Sequence, residues 1–168
     1  VDTILGANAH VTVYRGSYVD EQGVTTRGMA DFAEVRDRVA AVPGVTRAAP
    51  VVRGQAMVTL NDRSNVAEVY GISLGDLKTI PRVAGSSEAL GDIERFGEGI
   101  AVGSGIARDL GLMVGDKVKL ISPSGAKTAF GVSPRVNAYE VVYIFSAGRW
   151  DIDRTRIYMP FAEAQSYF

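Results

Sequence analysis

Residues 100–121, IAVGSGIARDLGLMVGDKVKLI, constrain the fold more than any other part of the chain. Ile100, Ala101 and Val102 read as a short buried strand, because three apolar residues in a row leave no polar face for solvent. Ser104 then caps a brief helix in which Ile106, Ala107 and Leu110 share a face. Gly111 suits the left-handed position that closes it. Leu112 and Val114 lead through Gly115-Asp116 into a second strand, residues 117–121. The pattern V-G-S-x-x-A-x-x-L-G-L-x-x-G-D-x-V-x-L therefore writes strand, short helix, tight turn, strand. Its glycines serve backbone shape and Asp116 serves turn chemistry, so Asp116 is not read as a general base.

The next stretch, residues 121–141, ISPSGAKTAFGVSPRVNAYEV, lies between that strand and another at residues 139–145. Proline supplies no ladder donor and fixes its own φ, so Pro123 and Pro134 confine regular pairing to the outer parts of any hairpin. The centre is expected to project. Phe130 and Val132 at the tip are either tucked back onto the body or kept for a partner.

Earlier in the chain, residues 8–15 alternate (Ala9, Val11, Val13 against His10, Thr12, Tyr14) and predict a first strand with His10 on its polar face. Asp31 with Glu34 reads as a capping box. Phe32, Val35, Val39 and Val42 follow on one face of a helix that Pro43-Gly44 ends, with Glu34 and Arg38 paired on the other. Strands are predicted at 48–52, 55–60 and 65–72, the last two joined by a turn at Asn61-Asp62-Arg63-Ser64. Residues 73–99 read as a long connection with short helical turns and mark a lobe boundary. A last strand is expected at Ile157-Tyr158-Met159, and Pro160 opens a helix with Phe161, Ala164 and Phe168 on one face. Gly148 to Arg154 reads as a polar loop. Its Asp151 and Asp153 are expected to be neutralised by Arg149, Arg154 and Arg156 rather than to hold a metal. The sum is an α+β fold.

Composition removes several classes of function. Eighteen Lys and Arg against nineteen Asp and Glu give a net charge of -1, so no overall field favours nucleic acid or an anionic membrane. With no cysteine there is neither a disulfide framework nor a thiolate metal site, and one histidine cannot build a multi-histidine cluster. Lack of cysteine fits an oxidising compartment. No run reaches the roughly 18 apolar residues that a membrane span needs. A chain that begins at Val1 rather than Met is expected to be a fragment or a processed form. No nucleophile elbow, HExxH, Walker A or post-strand GxGxxG motif is found, so composition and periodicity alone lead to a binding or structural module.

A family resemblance reaches further. Ile4-Leu5-Gly6 with Asn8-Ala9-His10, Pro43-Gly44-Val45 before Ala48-Ala49-Pro50-Val51-Val52, the Val102-Gly103-Ser104 to Gly115-Asp116 unit, and Phe130-Gly131 to Pro134-Arg135 followed by Met159-Pro160-Phe161-Ala162-Glu163-Ala164-Gln165 carry it. In that order they resemble the periplasmic domain of the lipoprotein-releasing permeases LolC and LolE, within the wider MacB-like permease group. The resemblance implies a two-lobed, MacB-like periplasmic domain: a Porter-like lobe from residues 1–72 and 150–168, and a Sabre-like lobe from 73–149. A projecting β-hairpin, the hook, would span residues 122–138. It implies a domain exposed to the periplasm, joined to the inner membrane by helices outside this sequence, with no cofactor and no enzymatic activity of its own.

The partners implied are the periplasmic lipoprotein carrier LolA, a LolD-type ATPase, a second LolC/LolE-type permease subunit and lipoprotein substrates. On that resemblance Lys127, Phe130, Gly131, Val132, Ser133, Pro134 and Arg135 would meet the carrier, and Arg149 its rim. Two alternatives keep their place: a MacB-type mechanotransmission domain of an efflux permease, and a small-barrel enzyme domain using the Gly-Asp unit.

Overall fold

The computed structural model describes residues 7–16, 18–19, 25–26, 28–122, 127–128 and 131–168, with the backbone alone at 18–19, 25–26, 127–128 and 132. Contacts divide these residues into two compact units, residues 8–50 and residues 51–168 with Ala7.

In the smaller unit, β1 (Tyr18–Val19) pairs antiparallel with β2 (Thr25–Thr26), and helix α1 spans Phe32–Ala40. Phe32, Val35 and Val39 are half-buried, as their spacing predicts, but no residue of α1 is fully buried. The capping box does not form. Asp31 makes no side-chain cap bond and instead accepts from the Arg15 guanidinium at 2.8 Å, which holds its carboxyl below the usual range. The bond to Arg15 takes Oδ2 and leaves Oδ1 without a partner among the described residues, so neither oxygen caps the helix. The strand expected at 8–15 is also absent. Residues 11–16 carry no ladder, and Val11, Val13 and Tyr14 are exposed. Alternation supplies the two faces of a strand, but among the described residues nothing pairs with this one.

The larger unit is built on a long hairpin. Strands β3 (Val52–Leu60) and β4 (Arg63–Ile72) pair antiparallel from Val52↔Gly71 to Leu60↔Arg63, with Asn61 at φ 53° in the turn. Asparagine tolerates that left-handed conformation. Helices α2 (Leu74–Lys78) and α3 (Pro81–Ala84), strand β5 (Leu90–Gly91) and a 3-10 helix at Ile93–Glu98 follow, the short turns expected of this connection. Then come β6 (Ile100–Gly103), α4 (Ser104–Leu110) and β7 (Lys117–Ser122), the strand-helix-strand unit read from sequence. Gly111 ends α4 at φ 70°, as expected, but the cap position belongs to Gly103 rather than Ser104.

Strand β10 (Arg135–Phe145) decides the architecture. With β11 (Arg156–Pro160) it completes a sheet of order β5-β10-β6-β11-β4-β3-β7. Residues 135–140 of β10 pair antiparallel with β7, while residues 141–145 pair parallel with β6 across a register shift between Val141 and Tyr143. One bent strand thus closes the sheet on itself. Strand β11 lies parallel to β4, and the chain ends in helix α6 (Phe161–Tyr167), preceded by α5 (Trp150–Asp153) where a loop was expected.

Two apolar clusters hold this unit together. Val58, Val69, Ile100, Val102, Leu120, Ile157 and Met159 form the first, with Ile106 and Leu110 of α4 and Ala164 and Tyr167 of α6. The other face of the sheet carries Phe145, Tyr143 and Tyr158, covered by Leu77, Val83 and Phe96 from residues 73–98 and by Ile152 from α5. The expected lobe boundaries at 72/73 and 149/150 fall inside this unit, whereas contacts divide the chain at 7/8 and 50/51.

Candidate functional site

Strands β7 and β10 hold residues 123–134 between them. Here β8 (Lys127–Thr128) and β9 (Gly131–Val132) pair antiparallel, Lys127 opposite Val132 and Thr128 opposite Gly131, as a separate two-stranded ribbon. Pro134 sits between β9 and β10, where a missing N–H removes no ladder bond. Gly131 takes φ 122°, a conformation that favours glycine.

The sequence-predicted contact residues separate into three groups. Lys127, Gly131, Val132, Ser133 and Pro134 lie together on the ribbon and its return, with Gly131, Ser133 and Pro134 exposed. Phe130 lies outside the described residues. Arg135 is half-buried and turns away from solvent, donating to the carbonyls of Ser166 and Tyr167, the latter at 2.8 Å. Arg149 sits beyond the opposite end of β10 and holds Asp151 through two bonds of 2.9 and 2.8 Å, so it is not part of this group.

Sequence reasoning missed a feature beside the ribbon. Val66, Met57, Ile121 and Val136 stand opposite one another across β4, β3, β7 and β10. Val66, Met57 and Val136 are 64%, 40% and 52% exposed. The adjacent row, Ser64, Thr59, Lys119 and Ala138, is mostly polar. The apolar row ends at the base of the ribbon, because Ile121 and Val136 are among the residues next to its two arms. Only the register of four strands from distant parts of the sequence lines these residues up.

Behind the ribbon, Tyr139 and Tyr167 are buried or half-buried, and burial raises both phenols above the usual tyrosine range, Tyr167 to about 12. The Tyr139 hydroxyl also donates to Glu163 at 2.6 Å, which further favours its neutral form. A raised folded-state value means stability that is complete below the unfolded phenol's pKa and is lost as pH rises through the folded one. Melting temperature is therefore expected to fall between pH 10 and about 12, and less steeply in Tyr167→Phe. Equal slopes in the parent and the variant would exclude Tyr167 as the source.

A second surface surrounds Trp150, the only tryptophan, which is 72% exposed. A polar cleft of about 300 Å3 lies beside it, lined by Ser104, Arg108, Asp109, Ser146, Asp153 and Arg154 among others. Arg154 lies over the Trp150 ring at 5.1 Å and donates twice to Asp109, at 2.9 and 2.7 Å. The two carboxylates expected to be neutralised by arginines behave differently. Asp151 does pair with Arg149, but Asp153 is buried and accepts from the backbone amides of Ala147 and Gly148 at 2.7 and 3.2 Å. Arg156 is buried too, stacked 4.5 Å over Tyr70 and donating to the Ala7 carbonyl. Among the described residues no group of three or more His, Cys, Asp or Glu is arranged to hold a metal, and no helix is long and apolar enough to cross a membrane.

Comparison with known proteins identifies the family. The chain is 31% identical over 145 residues to the lipoprotein-releasing system transmembrane protein LolC of Neisseria meningitidis serogroup B. That match covers 82% of this chain and 32% of the relative, so the chain spans about one third of that protein's length. Among solved structures it is similar to the extracellular domain of the noncanonic ABC-type transporter YknZ from Gram-positive bacteria. The TM-score is 0.50 at 15% identity, over 79% of this chain and 64% of that one, a likeness of fold. The periplasmic region of MacB from Actinobacillus actinomycetemcomitans gives a TM-score of 0.47 at 11% identity, over 77% and 55% of the two chains. A family model described as the MacB-like periplasmic core domain matches residues 2–168, nearly the whole sequence, and the chain belongs to that family.

Proposed function

We propose that this chain is the periplasmic domain of a permease subunit in an ABC transporter that releases lipoproteins from the inner membrane, and that its ribbon recruits the periplasmic carrier LolA. The observation that carries this reading is the 31% identity, over most of the chain, to a protein named for lipoprotein release. The ribbon between β7 and β10 supports the finer part, since among the described residues it pairs with no other strand and its described return, Ser133 and Pro134, is exposed. In this reading the ribbon is the hook, with Lys127, Phe130, Gly131, Val132, Ser133 and Pro134 meeting the carrier. ATP hydrolysis would reside in a LolD-type subunit beside a second LolC/LolE-type permease.

Burying Phe130 and Val132 against an apolar carrier surface would contribute roughly 1.5–3 kcal/mol each before ordering costs. Such a contact gives modest, reversible affinity, which a relay requires. Titration calorimetry of this chain with its cognate carrier tests the reading. Micromolar binding is expected, abolished by Pro134→Gly with Phe130→Ala while circular dichroism stays unchanged. Absence of binding by the parent chain would overturn carrier recruitment and favour a MacB-type mechanotransmission role, which the match to the MacB-like family also accommodates.

A further inference from the structure

We propose that Arg135, Tyr139 and Tyr167 are positioning residues that fasten the returning arm of the ribbon to helix α6, so that the direction of the ribbon follows that helix. The proposal rests on the reading of the ribbon as the partner-binding element.

Arg135, Asn137 and Tyr139 alternate along the first half of β10, so their side chains leave the same face of the strand. Each is engaged toward α6 or with a residue that is. The Arg135 guanidinium donates to the carbonyls of Ser166 and Tyr167 in the last turn of the helix. Bonds from a guanidinium to carbonyl oxygens are charge-assisted and tie the arm to the helix backbone. The Tyr167 hydroxyl bonds back to the Arg135 carbonyl at 3.4 Å. One residue further along the same face, the Asn137 amide donates to the Tyr139 hydroxyl at 3.0 Å, and that hydroxyl donates to Glu163 of α6 at 2.6 Å. The Tyr139 and Tyr167 rings meet edge to face with centroids 6.1 Å apart.

The helix itself is seated firmly on the neighbouring strands. A Cβ at Gly71 would lie 2.2 Å from Ala164 Cβ, and one at Gly54 would lie 2.2 Å from the Phe168 ring. The two glycines leave room for α6 to rest against β3 and β4. The helix therefore bridges that hairpin and the arm of the ribbon. The other arm, β7, is held by its ladders to β10 and β3. An arginine next to an exposed Pro134 is well placed to meet a partner's acids, yet here it is committed to the Ser166 and Tyr167 carbonyls. Its effect on any partner is exerted through the pose of residues 131–134.

The absence of cysteine allows two spin labels to be attached, at Ser133→Cys on the arm and at Asp62→Cys in the β3–β4 turn, both exposed sites. Electron–electron double resonance on the labelled chain should give a narrow distance distribution. Arg135→Gln with Tyr139→Phe should broaden it, and hydrogen exchange at residues 133–137 should quicken by about tenfold as charge-assisted bonds are lost. Arg135→Lys, which keeps a cationic donor, should restore most of the narrow distribution. Tyr167→Phe, which removes one hydroxyl and keeps the ring, serves if the double variant does not fold. A distribution and exchange rates unchanged in these variants overturn the clamp. The same variants titrated with the carrier separate the two ideas: altered distances with unaltered carrier affinity overturn the positioning role and leave recruitment standing. A parent chain with the expected narrow distances but no carrier affinity overturns recruitment and leaves the fastening itself supported.

Discussion

Gly103→Ala is expected to destabilise the larger unit by about 3 kcal/mol, because one added methyl group has nowhere to go. Gly103 is fully buried at the junction of β6 and α4, and a Cβ there would lie 2.4 Å from the Asp153 carbonyl oxygen and 2.9 Å from its carbon. Both are backbone atoms of α5, so no rotamer change relieves the overlap. Either α5 or the start of α4 must move, and each carries residues of an apolar cluster: Ile152 on α5, Ile106 and Leu110 on α4. The glycine is required by contact and not by conformation, since its φ of -64° suits any residue. For a chain of this size the loss corresponds to a melting temperature lower by about 6–12 °C. Gly97→Ala is the matched control: nothing lies within 4 Å of a Cβ there, and the change removes only chain freedom, so it should be neutral or slightly stabilising. If Gly103→Ala melts within about 2 °C of Gly97→Ala, the close approach of α5 to β6 does not limit stability.

That glycine shows what sequence could and could not reveal. The Val102-Gly103-Ser104 motif was legible as the end of a strand and the start of a helix, because both depend on neighbours in sequence. The reason for Gly103 lies fifty residues away in Asp153, and local patterning carries no information about it. The same division runs through the rest of the fold. The hairpin of β3 and β4, the short turns of 73–98, Gly111 at φ 70° and Pro160 opening α6 all follow from local chemistry. The closed sheet does not, because it needs β10 to pair with β7 in its first half and with β6 in its second.

Misreadings of side-chain roles have the same origin. Asp31 looked like a helix cap but turns to Arg15, sixteen residues earlier, and Asp153 looked like a loop carboxylate for arginines until the fold buried it against backbone amides. Arg135 was read with the ribbon by its position beside Pro134, and in the structure it opens β10. The strand's alternation decides that its side chain reaches α6. The exposed row of Val66, Met57, Ile121 and Val136 could not be assembled at all without the register of four strands.

Asp153→Ala is expected to cost about 3 kcal/mol, comparable with Gly103→Ala but by a different route. Asp153 is 8% exposed, and its carboxylate accepts from the backbone amides of Ala147 and Gly148, tying the end of β10 to the turn that feeds β11. Alanine leaves both donors without this acceptor. The Ala147 residue is itself only 1% exposed, so water cannot readily replace the lost bond. Asparagine keeps a carbonyl oxygen and should retain roughly half of the stability, since one amide is still satisfied without the charge. Asp151→Asn, two residues away, changes an exposed carboxylate held by Arg149 and should cost under about 0.5 kcal/mol. Trp150 opens the helix that carries both acids and reports on the same turn, so its emission should shift in Asp153→Ala well before global unfolding and stay at the parent wavelength in Asp151→Asn. Equal melting temperatures for Asp153→Ala and Asp151→Asn would mean that the buried carboxylate holds nothing together. The expected difference instead makes this turn a fastening point for the larger unit, because the Asp153 side chain anchors the end of β10 while its backbone is what Gly103 must accommodate.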